Sequence, residues 1–401
     1  MNLDGNQASI REAIDGGLLA GAVTLVWRAG EVLQVNELGY RDVEARLPMQ
    51  RDTIFRIASM TKPVTVAAAM SLVDEGKLAL TDPVTKWLPE FAQMRVLNEP
   101  GGPLDKTHPA RRAITVEDLM THRSGLVYYF SVVGPLARAY SHVSARQNPD
   151  AWLAEIAALP LEHQPGERMT YSNATDVLGI ILERIEGKTL HDVLTERILG
   201  PLNMVDTGFF VPSRNRSRAA TMYRLTDQEK LSHDAMGPTP ATPPPFCMGG
   251  ANLFSTADDY LRFARMLLAG GEIDGVRVLS EDSVRSMRTD RLTDEQKQHD
   301  FLGMPFWIGR GFGLNLSVVT DPARSRQLFG PGGAGTFSWP GAYGTWWQAD
   351  PSEDLILIYL IQNFPNLGAD AAAAVAGNTS LLKLQAAQPK FVRRTYQQLD
   401  I

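Results

Sequence analysis

The sequence contains little that would support disulfide or metal chemistry. Among its 401 residues there is a single cysteine, Cys247, so no disulfide can form within the chain. The seven histidines are scattered and show no His-Glu-x-x-His pair or comparable metal-ligand spacing. The sequence therefore predicts no structural disulfide, no metal site and no other cofactor.

Long apolar runs and excess positive charge are also absent. The longest apolar run, residues 355–361, falls well short of the roughly 20 residues that span a bilayer. The N-terminus lacks the basic start and apolar run of a signal peptide. The net charge of −6 gives no electrostatic reason to bind nucleic acid. We therefore expect a soluble, cytoplasmic protein whose partner is a small molecule, with neither nucleic-acid nor membrane binding; the oligomeric state stays open.

Residues 53–76 are the most informative stretch of the chain. Beyond Ser59 the residues are apolar or small on nearly every side as far as Gly76, which is typical of a helix buried in a large core. Ser59 and Lys62 are three residues apart, so they lie on one face about one turn apart. A desolvated lysine can activate a serine nucleophile, and the helix dipole favours negative charge developing at Ser59. Alternatively, Ser59 caps the helix and Lys62 is a surface residue.

Two further motifs carry candidate functional residues. Tyr171 and Asn173 precede a predicted helix at 174–186; a tyrosine hydroxyl can transfer protons, and an asparagine amide can hold a carbonyl group or position a lysine. Residues 335–344 place glycines near a predicted strand edge, where backbone N–H groups can meet a substrate. Each motif alone also fits a structural role, as a helix cap with a packed aromatic ring or as a tight hairpin.

The predicted elements indicate an α+β fold. Strands are predicted at 22–28 and 31–40, joined by a hairpin, and near the C-terminus at 307–316, 336–339, 344–349 and 355–362. Helices are predicted at 8–17, 116–120, 150–159, 174–186, 190–199, 258–268 and 369–386, and the proline-rich residues 238–245 form an extended loop. This order suggests one antiparallel sheet built from residues 1–80 and 226–401 and flanked by helices. A mostly helical domain, residues 81–225, is inserted, with the active site at the interface.

The order of the three motifs resembles a known superfamily. A Ser-x-x-Lys motif, a Tyr-x-Asn motif about a hundred residues later and a glycine-containing motif near the C-terminus resemble serine β-lactamases and penicillin-binding proteins. Their spacing is most similar to class C β-lactamases, and the resemblance extends to residues 55–59, 117–126, 165–167 and 249–258. It implies the β-lactamase/transpeptidase-like fold.

One departure from that pattern concerns the third motif. Trp339, Pro340 and Gly341 stand where lactamases have Lys-Thr-Gly, whose lysine holds the substrate carboxylate. A tryptophan there resembles the family VIII carboxylesterases, which favour neutral short-chain esters, because an indole offers one N–H donor and no charge. Arg324 and Arg326 lie just upstream and could restore a cation, so weak β-lactam hydrolysis stays open. The lack of a Gly-x-Ser-x-Gly motif argues against an α/β-hydrolase.

The resemblance implies a mechanism through an acyl-enzyme on Ser59, with Lys62 and Tyr171 as the acid–base pair. The backbone N–H groups of Ser59 and Ala342 would form the oxyanion hole, while Asn173, Trp339 and Gly341 would contact the substrate. Which of Lys62 and Tyr171 is the base stays open. So do three other reactions (β-lactam hydrolysis, D-amino-acid peptide or amide hydrolysis, and acyl transfer to an alcohol) and a penicillin-binding module without turnover. The presence of both Lys62 and Tyr171 favours an enzyme.

Overall fold

The computed structural model is built on an eight-stranded antiparallel sheet whose strands come from both ends of the chain. It describes residues 3–144, 147–226, 230–234, 236, 239–364 and 379–401. The strands are β1 (Gly21–Arg28), β2 (Glu31–Asp42), β3 (Leu47–Pro48), β4 (Phe55–Arg56), β5 (Arg95–Leu97), β6 (Thr107–Pro109), β7 (Tyr223–Leu225), β8 (Leu231–His233), β9 (Phe254–Ser255), β10 (Glu272–Ile273), β11 (Val276–Arg277), β12 (Arg310–Phe312), β13 (Ser317–Val319), β14 (Phe337–Ser338), β15 (Trp346–Asp350) and β16 (Leu355–Leu360). The large sheet has the order β12-β13-β14-β15-β16-β1-β2-β3. The predicted α+β fold is confirmed.

The helices lie before, between and after these strands. They are α1 (Ala8–Asp15), α2 (Thr61–Asp74), α3 (Val116–Met120), α4 (Pro135–His142), α5 (Pro149–Ala157), α6 (Ala174–Glu186), α7 (Leu190–Leu194), α8 (Ala257–Leu268), α9 (Glu281–Met287), α10 (Pro322–Phe329) and α11 (Thr379–Leu399). Of these, α4, α9 and α10 were not predicted. Between β4 and β7 the described residues form helices, short helical turns and one short strand pair, β5 and β6. The exact domain boundaries stay a prediction. No helix in the described ranges is long and apolar enough to cross a membrane.

The N-terminal hairpin follows directly from its turn residues. Ala29 and Gly30 have φ angles of 48° and 92°, as a two-residue hairpin turn requires at both central positions. Strand β1 pairs with β2 on one side and with β16 on the other, so Leu25 faces Val35 and Ile358 in the register. Because β1 is thus an interior strand, all but its last residue are buried. The predicted hairpin is confirmed.

The predicted strand at 307–316 was wrong. Instead β12 is followed by a turn and then by β13. Gly313 lies against the Met287 carbonyl, where an added Cβ would come within 2.1 Å of the oxygen, and Asn315 has a φ of 55°. Leu314 and Leu316 are buried because this turn points into the core. Apolar residues in a buried turn give the same pattern as a strand, which explains the wrong prediction. Strands β14, β15 and β16 confirm the other C-terminal strand predictions, with shifted ends.

Helix α2 lies in the middle of the core. A short 3-10 turn, Ala58–Met60, leads into it, and the first twelve residues of α2 are all buried. Pro63 is accommodated because the N–H groups of a first helical turn have no intrahelical acceptors. The predicted core helix is therefore confirmed, and it carries Lys62 at its second position.

The C-terminal helix α11 extends further than predicted. Residues 369–378 of the predicted helix lie outside the described residues, and the end predicted at 386 was wrong because α11 continues to Leu399 across Pro389. A proline inside a helix costs about 3 kcal/mol. Burying an aromatic or large aliphatic side chain returns about 1.5–3 kcal/mol each. Phe391 and Tyr396 are buried beyond the proline, so continuing the helix is favourable. Of the predicted loop at 238–245, residue 238 also lies outside the described residues, and the rest contains no helix or strand.

Candidate active site

The serine of the first motif lies in a strained turn at the start of the core helix. Ala58, the residue before Ser59, has a φ of 45°, an uncommon value for a residue with a Cβ atom. Ser59 is half-buried, whereas Lys62 is completely buried. The spacing of three residues brings Lys62 Nζ to 3.2 Å from Ser59 Oγ. The two groups predicted to start the reaction are therefore in hydrogen-bond contact.

Two further oxygen atoms hold the Lys62 amine in place. Its Nζ donates to the Gly250 carbonyl at 2.7 Å and to the Tyr128 hydroxyl at 3.0 Å. Gly249 and Gly250 permit this approach, because a Cβ on Gly249 would come within 2.7 Å of a carbonyl oxygen and one on Gly250 within 3.0 Å of Tyr128. A buried amine needs such partners, since an unpaired one would be costly. Tyr128 was not among the predicted site residues.

A buried carboxyl group supports this arrangement from behind. Asp176 lies near the Tyr128 hydroxyl and accepts from the Gly250 N–H at 2.7 Å and from Asn173 Nδ2 at 2.9 Å. Burial raises the pKa of the Asp176 carboxyl, while the nearby Lys62 and these polar neighbours oppose the rise. Asn173 thus contacts Asp176, and among the described residues its side chain makes no hydrogen bond to Lys62. It holds the N-cap position of α6, yet its side chain makes no capping hydrogen bond.

Tyr171 is enclosed by aromatic rings. Its hydroxyl accepts a hydrogen bond from Trp339 Nε1 at 3.1 Å, and its ring centroid lies 5.5 Å from that of Trp339 and 5.4 Å from that of Phe301. Lys62 Nζ lies 4.7 Å from the centroid of the Tyr171 ring, so the amine faces the ring. The tyrosine hydroxyl to which the amine donates a hydrogen bond is that of Tyr128. Trp339 is only 2% exposed, so it holds Tyr171 and offers little surface to a substrate.

His122 supports Tyr171 as a neutral side chain. Its ring lies edge-on to Tyr171, with centroids 4.8 Å apart, and its Nε2 lies 2.8 Å from Asn315 Oδ1. Because Asn315 Nδ2 donates to a backbone carbonyl, its Oδ1 accepts from His122 Nε2–H, which leaves Nδ1 to accept from Ser172 Oγ at 3.0 Å. Burial, assisted by the charge of Lys62, keeps the pKa of His122 well below its usual value. His122 is therefore built to orient the second motif.

The third motif packs against the segment that leads to Ser59. A Cβ on Gly341 would come within 2.3 Å of the Ile57 carbonyl oxygen and 2.1 Å of Thr345 Oγ1, so only glycine fits. Thr345 Oγ1 also donates to that carbonyl at 3.2 Å. Ala342, the next residue, is exposed, and within the described ranges its N–H donates no hydrogen bond. It is therefore free to serve as the predicted second donor of an oxyanion hole.

The arginines near the third motif do not replace its missing lysine. Arg324 and Arg326 lie on α10 with exposed side chains. Arg310 lies between two aromatic rings, with its guanidinium carbon 4.0 Å from the Phe329 centroid and 5.7 Å from the Phe306 centroid. Burial lowers the pKa of Arg310 to about 10. Across the described part of the chain, no group of three or more histidine, cysteine or acidic side chains could hold a metal ion.

Together, the fold and the site place a serine and a buried lysine one turn apart at the start of a core helix, beside an antiparallel sheet. Residues 7–378 match the family described as Beta-lactamase, and the chain belongs to this family. The resemblance to the β-lactamase and penicillin-binding-protein superfamily is confirmed. The placement within family VIII stays a prediction.

Individual relatives include both an esterase and a related hydrolase. The chain is 70% identical to Protein Rv1367c of Mycobacterium tuberculosis over all 401 residues, the full length of both. It is 33% identical to Esterase EstB of Burkholderia gladioli over 363 residues, 85% of this chain and 86% of that protein. Among solved structures it is similar to EstCE1, described as a hydrolase with promiscuous acyltransferase activity. That likeness has a TM-score of 0.76 at 27% identity, covering 96% of this chain and 97% of the other.

Sequence reasoning missed Tyr128, Asp176 and the carbonyl of Gly250. The glycine pair was visible as a signal, since two adjacent glycines often mark a close backbone approach. Asp176 follows Asn173 by three residues, the spacing at which helical side chains meet. For Tyr128, one of two adjacent tyrosines in an aperiodic segment, no local signal pointed to a contact with a residue 66 positions away.

Proposed function

We propose that this protein is a serine carboxylesterase that cleaves esters of short-chain carboxylic acids through an acyl-enzyme on Ser59. The observation that carries the proposal is the 3.2 Å contact between Ser59 Oγ and the fully buried Lys62 Nζ. Similarity to Esterase EstB over most of both chains supports it. The third motif agrees, because Trp339 supplies no charge to pair with a substrate carboxylate.

In the first half of the reaction, Ser59 Oγ attacks the ester carbonyl. Lys62 Nζ is the basic group in contact with that hydroxyl, so we assign it the first proton transfer. The negative charge that develops on the carbonyl oxygen is stabilised by the N–H groups of Ser59 and Ala342. Each such donor is typically worth about 3–4 kcal/mol in the transition state.

Completion of the acylation needs an acid for the leaving alkoxide, and we assign this role to Tyr171. In deacylation the Tyr171 phenolate takes a proton from the attacking water molecule, and Lys62 returns its proton to Ser59 Oγ as the carboxylic acid leaves. The Lys62 amine faces the Tyr171 ring and is held by Tyr128, and Trp339 Nε1–H donates to the Tyr171 hydroxyl.

Acyl transfer to an alcohol is a second candidate activity. The aromatic side chains around Tyr171 favour it, because Phe301, Trp339 and Phe130 have ring centroids within 6.5 Å of the Tyr171 ring. Apolar surroundings of this kind admit little water to an acyl-enzyme and favour an apolar alcohol as the acceptor of the acyl group. The described promiscuity of the structural relative EstCE1 agrees with this candidate.

The proposal is tested with p-nitrophenyl butyrate and nitrocefin on wild-type and Ser59→Ala protein. We expect rapid release of p-nitrophenol that is lost in Ser59→Ala, with little hydrolysis of nitrocefin. Addition of a primary alcohol measures transfer against hydrolysis by the ratio of butyrate ester to butyric acid. Faster turnover of nitrocefin than of the ester would contradict the assignment, as would ester cleavage that survives in Ser59→Ala.

A further inference from the structure

An arginine with no acidic partner among the described residues lies three residues before Ser59. Arg56 is the second residue of β4, whose neighbours Phe55 and Ile57 are buried in the core. Alternation along the strand therefore directs the Arg56 side chain to the opposite face. Its guanidinium carbon lies 4.8 Å from the centroid of the Phe254 ring.

Arg56 lies close to the candidate oxyanion hole. Gly341 packs against the Ile57 carbonyl, so the loop that carries Ala342 runs alongside the end of β4. Tyr343, the residue after Ala342, is near enough for the charge of Arg56 to lower the pKa of its hydroxyl, although burial raises that pKa overall. The guanidinium therefore lies beside the loop that would hold the reacting carbonyl group.

Across the described residues, Arg56 lacks the ion pair that two other arginines make. Arg51 pairs with Asp258 at 2.8 Å, and Arg224 pairs with Asp234 at 2.8 Å. Within the described ranges no carboxylate pairs with Arg56, whose backbone exchanges hydrogen bonds with the Gln362 side chain and whose guanidinium lies over the Phe254 ring. Burial lowers the pKa of the Arg56 guanidinium below its usual value. A half-buried cation without a carboxylate is costly, and an anionic ligand would relieve that cost.

A cavity of about 410 Å³ opens beside this guanidinium. Its lining includes a second arginine, Arg216, which also has no acidic partner in the described part of the chain. Two acidic residues line the cavity as well, but both are satisfied within the fold. Asp42 accepts from Thr221 Oγ1 at 2.8 Å and from a backbone N–H at 2.7 Å, and Asp234 is paired with Arg224. Both carboxylates therefore have donors within the fold, whereas neither guanidinium, of which Arg216 is exposed, has a carboxylate partner among the described residues.

We propose that Arg56, with Arg216 across the cavity, binds a carboxylate of the substrate that is separate from the ester bond. A guanidinium stacked on a ring keeps its N–H edge free for the two oxygens of a carboxylate. The substrate class is then an ester that also carries a free carboxylate, held on the Arg56 side of Ser59. This inference rests on the proposed esterase function and specifies its substrate.

The test compares acid esters with matched neutral esters. The first pair is 4-(butyryloxy)benzoate and its methyl ester, in which the carboxylate lies on the alcohol part. The second pair is mono-p-nitrophenyl glutarate and p-nitrophenyl butyrate, in which the carboxylate lies on the acyl part. In wild-type protein we expect kcat/KM to favour the acid for at least one pair. In Arg56→Gln the ratio of kcat/KM for the acid to kcat/KM for the neutral ester should fall at least tenfold, because KM for the acid rises. Arg56→Lys should keep part of the preference. Arg324→Gln, which removes an exposed arginine on α10, is the matched control and should keep it.

A binding measurement separates this inference from the proposed function. Isothermal titration of 4-(butyryloxy)benzoate and of its methyl ester into Ser59→Ala protein needs no turnover. We expect the acid to bind at least tenfold more tightly, and the difference to vanish in the Ser59→Ala, Arg56→Gln double variant. Equal affinities of acid and methyl ester would overturn the inference, whether or not the double variant folds. Absence of p-nitrophenyl butyrate hydrolysis in the wild-type protein would instead overturn the esterase proposal and leave the binding result unaffected.

Discussion

The two tyrosines beside Lys62 should respond differently to loss of the hydroxyl group. The Tyr128 hydroxyl accepts from Lys62 Nζ at 3.0 Å and lies near the buried Asp176, so Tyr128→Phe leaves a buried amine one partner short. We therefore expect Tyr128→Phe to lower the free energy of unfolding by about 1.5–3 kcal/mol, the worth of a hydrogen bond to a charged group.

The effect on catalysis should be smaller for Tyr128 than for Tyr171. In Tyr128→Phe the amine keeps Ser59 Oγ and the Gly250 carbonyl as partners, so it loses orientation but not contact with the nucleophile. A loss of about 1.4–2.7 kcal/mol in transition-state stabilisation corresponds to a ten- to hundredfold lower kcat. Tyr171→Phe removes the assigned acid and should lower kcat by about a thousandfold or more, because general acid–base groups contribute about 10²–10⁴-fold.

Steady-state hydrolysis of p-nitrophenyl butyrate and urea unfolding of the same samples measure both effects. A kcat lower in Tyr128→Phe than in Tyr171→Phe would refute the assigned roles and make Tyr128 the proton-transfer group. Near-normal turnover in Tyr171→Phe, with a folded protein, would refute the proton-transfer scheme altogether. An unchanged free energy of unfolding in Tyr128→Phe would show that the Tyr128 hydroxyl does not stabilise the fold.

Two further changes probe the third motif and a buried carboxyl group. Gly341→Ala places a Cβ within 2.3 Å of the Ile57 carbonyl oxygen. We therefore expect the variant to lose about 1–3 kcal/mol in the free energy of unfolding and at least tenfold in kcat. Activity and melting temperature equal to those of the wild type would contradict the close packing. Burial raises the pKa of Glu162 from 4.5 to about 7, so the folded state holds its proton more tightly, and stability present below pH 4.5 is lost as the pH rises through about 7. Glu162→Gln should therefore be about 1–2 kcal/mol more stable than wild type at pH 8. Urea unfolding at pH 5 and pH 8 checks this, and a wild-type advantage that grows toward pH 8 would show the sign to be wrong.

Local patterns predicted the features that depend on neighbouring residues. The hairpin at Ala29 and Gly30, the core helix after Ser59 and the placing of Lys62 against Ser59 all follow from spacing within one turn or one hairpin. The C-terminal helix continues across Pro389, a residue that breaks most helices when it lies in their interior. The burial of Phe391 and Tyr396 beyond it depends on the tertiary structure, which the local pattern does not contain.

Contacts between distant parts of the chain could not be predicted in this way. Tyr128 meets Lys62 across 66 residues, and Gly250 meets Lys62 across 188. Neither contact has a period or a spacing that a sequence could reveal, because each depends on how the helices around α2 pack. The sequence therefore indicated the reacting groups but not the side chains that hold them.

The replacement at the third motif changes how the site can recognise a substrate. The lysine of a lactamase is free to bind a carboxylate, whereas the single N–H of Trp339 is already committed to the Tyr171 hydroxyl. Trp339 therefore acts on the reaction through Tyr171 and contributes neither charge nor a free donor to a ligand. A carboxylate-bearing substrate would need its cation elsewhere, and Arg324 and Arg326 point to solvent on α10. Arg56 lies beside Tyr343, is half-buried and has no acidic partner in the part of the chain that the structure describes, so it is the arginine that we propose supplies this cation.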